Sequence, residues 1–172
     1  MSRDPVTPWR ASRGQSLVEF SLVLPVLLVL VLMAVDFGRG FYAWVTLTNA
    51  VRDAANYAGM NPGAGFGIGS AYNSIVLADG LQGLRTVCMP LSSSGQPVFN
   101  ATGTQQNPIP APVFSDGPQD ANTTPTDLGD RATVTISCDF RVITPVVSSL
   151  IGTPVRVSAA STFTIRVGPY QP

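Results

Sequence analysis

The sequence contains no histidine and no lysine, so all ten of its basic residues are arginines. Without histidine, the chain lacks both the usual general base at neutral pH and the commonest nitrogen ligand of metal ions. Only two cysteines are present, Cys88 and Cys138, which are too few to hold a structural zinc ion by themselves. The formal net charge is zero and no basic block occurs, which excludes the electrostatic footprint of a nucleic-acid-binding protein.

Catalytic patterns are also missing. The serines have no histidine partner, and most acidic residues fall on predicted loops or strand exteriors. Glu19 and Asp36 lie near opposite ends of an apolar run, too far apart to act as a pair. Four aspartates between residues 116 and 130 lack the spacing of an EF-hand. We therefore predict no enzyme activity, no metal and no cofactor.

Charged residues make up only 12% of the chain, about half the usual share in soluble proteins. None occurs between Phe20 and Val35. As a helix this run spans about 24 Å, somewhat less than the ~30 Å hydrocarbon core of a bilayer, and Leu17 and Val18 extend it backwards. The pattern predicts one membrane-spanning helix over about residues 17–35, in which Pro25 is a tolerated kink.

The residues before this run carry Arg3, Arg10 and Arg13 against Asp4 alone. The positive-inside rule places that end in the cytoplasm and the rest of the chain across the membrane. A secretory signal peptide would have a shorter apolar region followed by small residues, whereas LMAVDFGRGF follows here. An uncleaved anchor remains an alternative.

The helical pattern continues beyond the predicted span. Apolar residues recur at spacings of three and four, which predicts an amphipathic extension over 36–60, ended by Asn61-Pro62-Gly63. The predicted apolar stripe is Phe37, Phe41, Trp44, Thr48, Val51, Ala55 and Ala58, widened by Leu47, Ala50 and Ala54. Its small residues permit close packing, and we expect contacts both with the chain's own outer domain and with other subunits.

Residues 61–83 are predicted to form a glycine-rich connector and a short helix over 71–78, capped by Ser70. Period-two alternation in LRTVCM, ATVTISCDFRV and PVRVSAASTFTIRV predicts three half-buried antiparallel strands within an 84–172 domain. Residues 90–130 are rich in Pro, Gly and Ser and are predicted as a long, largely mobile loop. The expected fold class is therefore α+β, a long helix followed by a small antiparallel sheet.

Cys88 and Cys138 fall in two of these strands, on the oxidising side of the membrane. We predict a disulfide between them that brackets the long loop. The alternative is two buried free thiols, since cysteine is often buried without a bridge.

Glu19 lies at the N-terminal end of the apolar run, where a carboxylate costs free energy and therefore indicates a function. If the chain is cut after Gly14, the new amine of Gln15 lies one helical turn from that carboxylate. Gly14, the run from Gln15 to Val18 and the pair Glu19-Phe20 resemble the prepilin peptidase site of type IV pilin-like proteins. The wider stretch from RGQSLVEF to DAANYA resembles the TadE-like family of tight-adherence (Tad, or Flp) pilus systems, and FRVITPVVSSLIGTPVRVSAASTFTIRV resembles its C-terminal end.

The resemblance implies a pilin-like fold and a minor pilin-like structural protein needed to assemble a pilus for surface adherence. Residues 1–14 would be the leader, Gln15 the first mature residue and Glu19 the assembly and processing glutamate. Phe20 and Pro25 belong to the hydrophobic motif that follows.

The same resemblance implies partners and a location. The implied partners are a prepilin peptidase, a sibling pseudopilin, the major Flp pilin, and the inner-membrane platform with its ATPase. The implied location is the bacterial inner membrane, with a cytoplasmic N-terminus and a periplasmic C-terminal domain, or the pilus itself. A function of a different kind remains open, a membrane-anchored periplasmic binding module that no prepilin peptidase processes.

Overall fold

The computed structural model describes residues 14–117 and 126–166, apart from the side chains at 79, 146 and 150. The first element, α1, is one continuous helix, Gln15–Met60, of 46 residues. It is long and apolar enough to cross a membrane, and no part of its most apolar stretch is buried. The long helix predicted from the sequence is thus confirmed. The predicted leader, apart from Gly14, lies outside the described residues.

A short helical segment connects α1 to the sheet. The second helix, α2 (Ala71–Val76), starts at Ser70, whose Oγ accepts a hydrogen bond from the Asn73 N–H at 3.1 Å. A π-helical turn (Leu77–Leu81) and α3 (Gln82–Leu84) follow. The glycine-rich connector before α2 is anchored by Phe66, whose ring packs edge-on against the Tyr72 ring at 5.2 Å. The buried Tyr72 hydroxyl donates to the Pro110 carbonyl at 2.7 Å, and burial raises the pKa of this hydroxyl.

Four antiparallel strands form the sheet, with a further short helix between the last two. They are β1 (Cys88–Leu91), β2 (Val113–Ser115), β3 (Arg131–Phe140) and β4 (Val155–Thr164), and α4 (Pro145–Ile151) connects β3 to β4. The central strand, β3, pairs along its whole length with β4 on one edge, and on the other edge with β1 and β2 in series. The observed architecture confirms the α+β prediction.

The inward face of β3 is buried as its alternation predicts, and it packs against the second half of α1. The helix face that contacts the sheet consists mostly of small residues, namely Ala43, Leu47, Ala50, Val51, Ala54, Ala55, Ala58 and Gly59. A Cβ on Gly59 would lie 2.6 Å from the Phe163 ring, so only glycine permits this approach. Small side chains therefore bring the helix backbone close to the sheet.

Only part of the predicted apolar stripe packs on the chain's own sheet domain, because Phe37, Phe41 and Trp44 are exposed. At 100° per residue these aromatic side chains point roughly a quarter turn away from the buried alanine face. The helix face with small residues packs against the sheet, and the face with the aromatic residues remains exposed. The second half of the predicted stripe, with Val51, Ala55 and Ala58, is buried.

The segment after β1 is not a structureless loop, contrary to the prediction for residues 90–130. Up to residue 117 it follows the sheet, makes isolated bridges at Leu91–Pro97 and Phe99–Gln105, and includes β2. Val98, Phe99 and Ile109 are buried in the core. These isolated apolar residues have no period, but they supply the burial that orders the segment. Residues 118–125 of the predicted loop lie outside the described residues.

Cys88 and Cys138 are joined by a disulfide, with their Cα atoms 5.4 Å apart. Both residues are fully buried, and they lie on the neighbouring strands β1 and β3. The two cysteines are 50 residues apart in the sequence, and β2 lies between them, so the bond closes a loop that includes this strand.

Replacing both cysteines with alanine should lower the free energy of unfolding of the outer domain by about 4 kcal/mol, since the bond restricts a loop of this length in the unfolded chain. The measurement is urea unfolding of the full chain in detergent. Dithiothreitol should reproduce the loss in the wild-type chain and change nothing in the double variant. Equal midpoints for oxidised wild type and double variant, with no linked peptides in a non-reduced digest, would contradict the expectation.

Candidate functional site

The first half of α1 projects away from the rest of the molecule. Every residue from Gly14 to Val35 is exposed, except for a half-buried Val29. The first fully buried apolar residue of α1 is Ala43, about 36 Å along the helix axis from Glu19. The sequence-predicted residues Gly14, Gln15, Glu19, Phe20 and Pro25 therefore lie together on an uncovered rod. The predicted disulfide residues belong to the distant sheet.

The helix begins at Gln15, directly after Gly14. Gly14 accepts a backbone hydrogen bond from the Val18 N–H at 3.3 Å and offers no side-chain cap. A Cβ on Gly14 would meet no atom within 4 Å. The described fold therefore places no steric demand for glycine at this position, and any such demand arises from another molecule.

Glu19, the only glutamate of the chain, lies on the same face as Gln15, one turn further along. The Gln15 side-chain amide donates to Glu19 Oε1 at 3.2 Å. Both residues are exposed. The carboxylate is thus near the positive end of the helix dipole, where it also lies within one turn of the Gln15 backbone nitrogen.

Phe20 and Pro25 continue the uncovered face. Phe20 is exposed, and Pro25 lies inside the helix without ending it. Because proline has no N–H, the helix lacks one hydrogen bond to the Ser21 carbonyl. The Ser21 hydroxyl donates to the Val18 carbonyl at 2.8 Å, one turn earlier.

Asp36 is a structural residue that the sequence analysis missed. It is buried where the exposed half of α1 meets the sheet domain. Its Oδ2 accepts the Thr144 N–H at 2.9 Å and the Thr144 hydroxyl, and its Oδ1 accepts the Ile143 N–H at 3.1 Å. Arg39 Nη1 donates to Oδ1 at 3.3 Å. The carboxylate fastens the β3–β4 connection to the helix at the level where the apolar run ends.

Replacing Asp36 with alanine should lower the free energy of unfolding by about 3 kcal/mol, because the buried N–H and hydroxyl of Thr144 and the partly buried N–H of Ile143 lose their acceptor. Asp53, which is exposed on the same helix, offers a matched control, and Asp53→Ala should stay within about 0.5 kcal/mol of wild type. Urea unfolding of both variants in detergent gives the comparison. Equal losses for the two variants would refute the structural role of Asp36.

Among the described residues, no three acidic, cysteine or histidine side chains come close enough to hold a metal ion. Asp130 is buried and uses both carboxylate oxygens on backbone N–H groups, those of Gly117 and Asp127, each at 2.8 Å. It therefore closes the base of the segment between β2 and β3.

The comparison with protein families matches the long helix, including its exposed first half. The family model described as TadE-like protein matches residues 14–56, which comprise Gly14 and all of α1 except its last four residues. The match confirms the resemblance to the TadE-like family over this segment, and the sheet lies outside it. No curated protein and no solved structure gives a significant match.

Proposed function

We propose that the chain is a Tad pilus-associated protein, and specifically a minor pilin-like subunit needed to assemble the pilus, because the TadE-like family model matches residues 14–56. In this proposal a prepilin peptidase cuts between Gly14 and Gln15. The mature chain spans the inner membrane once, with the sheet domain in the periplasm. Its assembly partners are a sibling pseudopilin, the major Flp pilin, and the inner-membrane platform driven by a cytoplasmic ATPase.

One observation carries the proposal, the division of α1 into a covered half and a bare half. Between Ala43 and Gly59 one face of the helix is buried against the sheet and the α2 segment, whereas from Gln15 to Val35 every residue is exposed except the half-buried Val29. A plain anchor needs an apolar run of this kind but has no use for a carboxylate at its leading edge. A helix that leaves the bilayer and packs among similar helices has a use for both.

The geometry also supports a role for Glu19 in setting register. Once Gln15 carries a free amine, the carboxylate can neutralise that amine or the amine of a neighbouring subunit. Opposite charges attract strongly in a low-dielectric environment, and pairing removes two desolvation penalties together. Only one axial stagger of two helices brings the groups together, so the pair fixes how subunits align.

Pilus counts in a strain that lacks the chain test this proposal. Electron microscopy should show loss of pili and of surface attachment, and wild-type protein supplied from a plasmid should restore both. Normal pilus numbers in the deletion strain would contradict the proposal. Loss of attachment with normal pili would instead favour a membrane-anchored periplasmic binding module.

A further inference from the structure

The sheet domain has one end that faces the membrane-spanning half of α1. Phe140, the last residue of β3, lies beside Gly40, where an added Cβ would be 3.7 Å from its ring. Phe163, near the end of β4, lies beside Gly59. Since α1 rises about 1.5 Å per residue, the β3–β4 connection lies about 28 Å nearer to the apolar run than the opposite end of the sheet.

Asp36 fixes the level of this connection on the helix. Its hydrogen bonds to Ile143 and Thr144 hold the connection one residue beyond Val35, the end of the apolar run. From there α4 lies beside an apolar groove of about 530 Å³, which extends along α1 as far as Met33. Met33 belongs to the predicted span. Part of α4 therefore lies level with the last turn of the membrane helix.

The connection has the composition of a membrane contact. Residues 142–155 contain no charged side chain, and Arg141 and Arg156 border them. Ile143 is 63% exposed and Ile151 is 61% exposed. On the adjoining surface of α1, Phe37, Phe41 and Trp44 are exposed as well. A contiguous apolar surface of this kind on a folded domain normally marks a site of contact.

We propose that the β3–β4 connection, residues 142–155 including α4, lies in the interfacial layer of the outer leaflet and forms a second membrane contact. This inference rests on the membrane placement in the proposed function. Lipid is the occupant because the groove is continuous with the surface of α1 that the bilayer covers. Lipid chains fill an irregular apolar surface without needing shape complementarity. Arg141 is exposed and is suited to anionic headgroups, whereas Arg156 at the other end of the connection pairs with Asp139 at 3.1 Å.

The contact gives the outer domain a defined orientation relative to the bilayer. A helix that only spans leaves its domain free to tilt, whereas a second apolar contact beside the helix fixes the tilt. Extraction into a pilus would then require this connection to leave the lipid together with the span. The exposed apolar surface that it releases would be available to neighbouring subunits.

The test uses the full chain with single cysteines introduced at exposed sites. Each new cysteine is labelled with an environment-sensitive nitrobenzoxadiazole probe. Labelling is carried out without reductant, so that the buried native disulfide stays intact. The protein is reconstituted in phosphatidylethanolamine and phosphatidylglycerol vesicles. Ile151→Cys and Ile143→Cys report on the connection. Ile68→Cys is the matched control, because Ile68 is 54% exposed on the connector that precedes α2. Leu24→Cys reports on the span.

Probes at 143 and 151 should show blue-shifted emission, quenching by nitroxide-labelled lipids, and loss of most of the iodide quenching seen at position 68. Iodide quenching at 143 and 151 equal to that at 68, with the Leu24 probe still protected, would overturn the inference and leave the spanning helix intact. An unprotected Leu24 probe would overturn both. Protection at 151 that disappears when protein is diluted in lipid would identify a second copy as the occupant and refute lipid.

Discussion

A strain in which Glu19 is replaced by alanine should insert the protein normally, form the Cys88–Cys138 bond and yet lack pili. The Glu19 side chain is exposed and, among the described residues, bonds to the Gln15 side chain alone, so the described fold does not depend on it. In a helix assembly, however, loss of the carboxylate leaves the amine of Gln15 without its partner in a low-dielectric setting. Breaking a buried pair in this way costs about 3–5 kcal/mol, more than a hundredfold in the assembly equilibrium.

Conservative variants separate charge from shape in this experiment. Glu19→Gln keeps the size and the hydrogen-bonding capacity but removes the charge, so it should fail as alanine does. Glu19→Asp keeps the charge on a shorter stem and should retain part of the piliation. Pilus counts by electron microscopy, beside immunoblots of membrane fractions, give the readout. Full piliation in the Glu19→Gln strain would show that charge pairing is not the role of this residue.

Replacing Gly14 with leucine should leave most of the chain unprocessed, longer than the mature form by residues 1–14. A peptidase that grips an extended backbone at this point needs a residue without a bulky side chain. The part of the chain that the structure describes tolerates leucine, because a Cβ on Gly14 meets none of its atoms within 4 Å. The defect should therefore appear in processing and not in folding.

Gly65→Leu is the matched control, since Gly65 also has open surroundings and lies in the connector outside the proposed cleavage site. It should give the same band as wild type. The measurement is band size in cells that contain the peptidase and in cells that lack it. A processed band of wild-type size for Gly14→Leu in peptidase-containing cells would rule out the cut between Gly14 and Gln15.

The sequence was sufficient for the parts of the fold that rest on local periodicity. A long uninterrupted helical pattern predicted α1, and strict alternation predicted β3, β4 and the inward face of β3. These elements depend on which side chains of one segment share a face, and a single segment contains that information.

Features that depend on contacts between distant segments were not predictable in the same way. The aromatic and alanine faces of α1 both have a helical period, so periodicity does not show which face packs on the sheet. The alanine face packs there because its small side chains allow the helix to approach the sheet closely. Val98, Phe99 and Ile109 are buried at irregular spacing, so their segment resembled a loop. Asp36 finds its backbone donors 107 and 108 residues away, and no local pattern encodes such a pairing.

The helix α4 is an intermediate case. Thr144 precedes it, Pro145 is its first residue and Gly152 follows it, which is a usual set of start and stop signals. These signals are weak beside the strict alternation of the two strands that flank this short apolar segment. The structure also departs from the usual cap, since the Thr144 hydroxyl is used by Asp36 and not by the first turn of α4.

N-terminal sequencing of the protein recovered from cells that assemble the pilus tests the central claim most directly, because processing separates a pilin-like subunit from a simple anchor. The account predicts a chain that begins at Gln15, so that a free amine lies one turn from Glu19. The same chain from cells without the peptidase should begin before Gly14. A chain that keeps residues 1–14 in piliated cells would contradict the account, because Glu19 would then have no amine to neutralise.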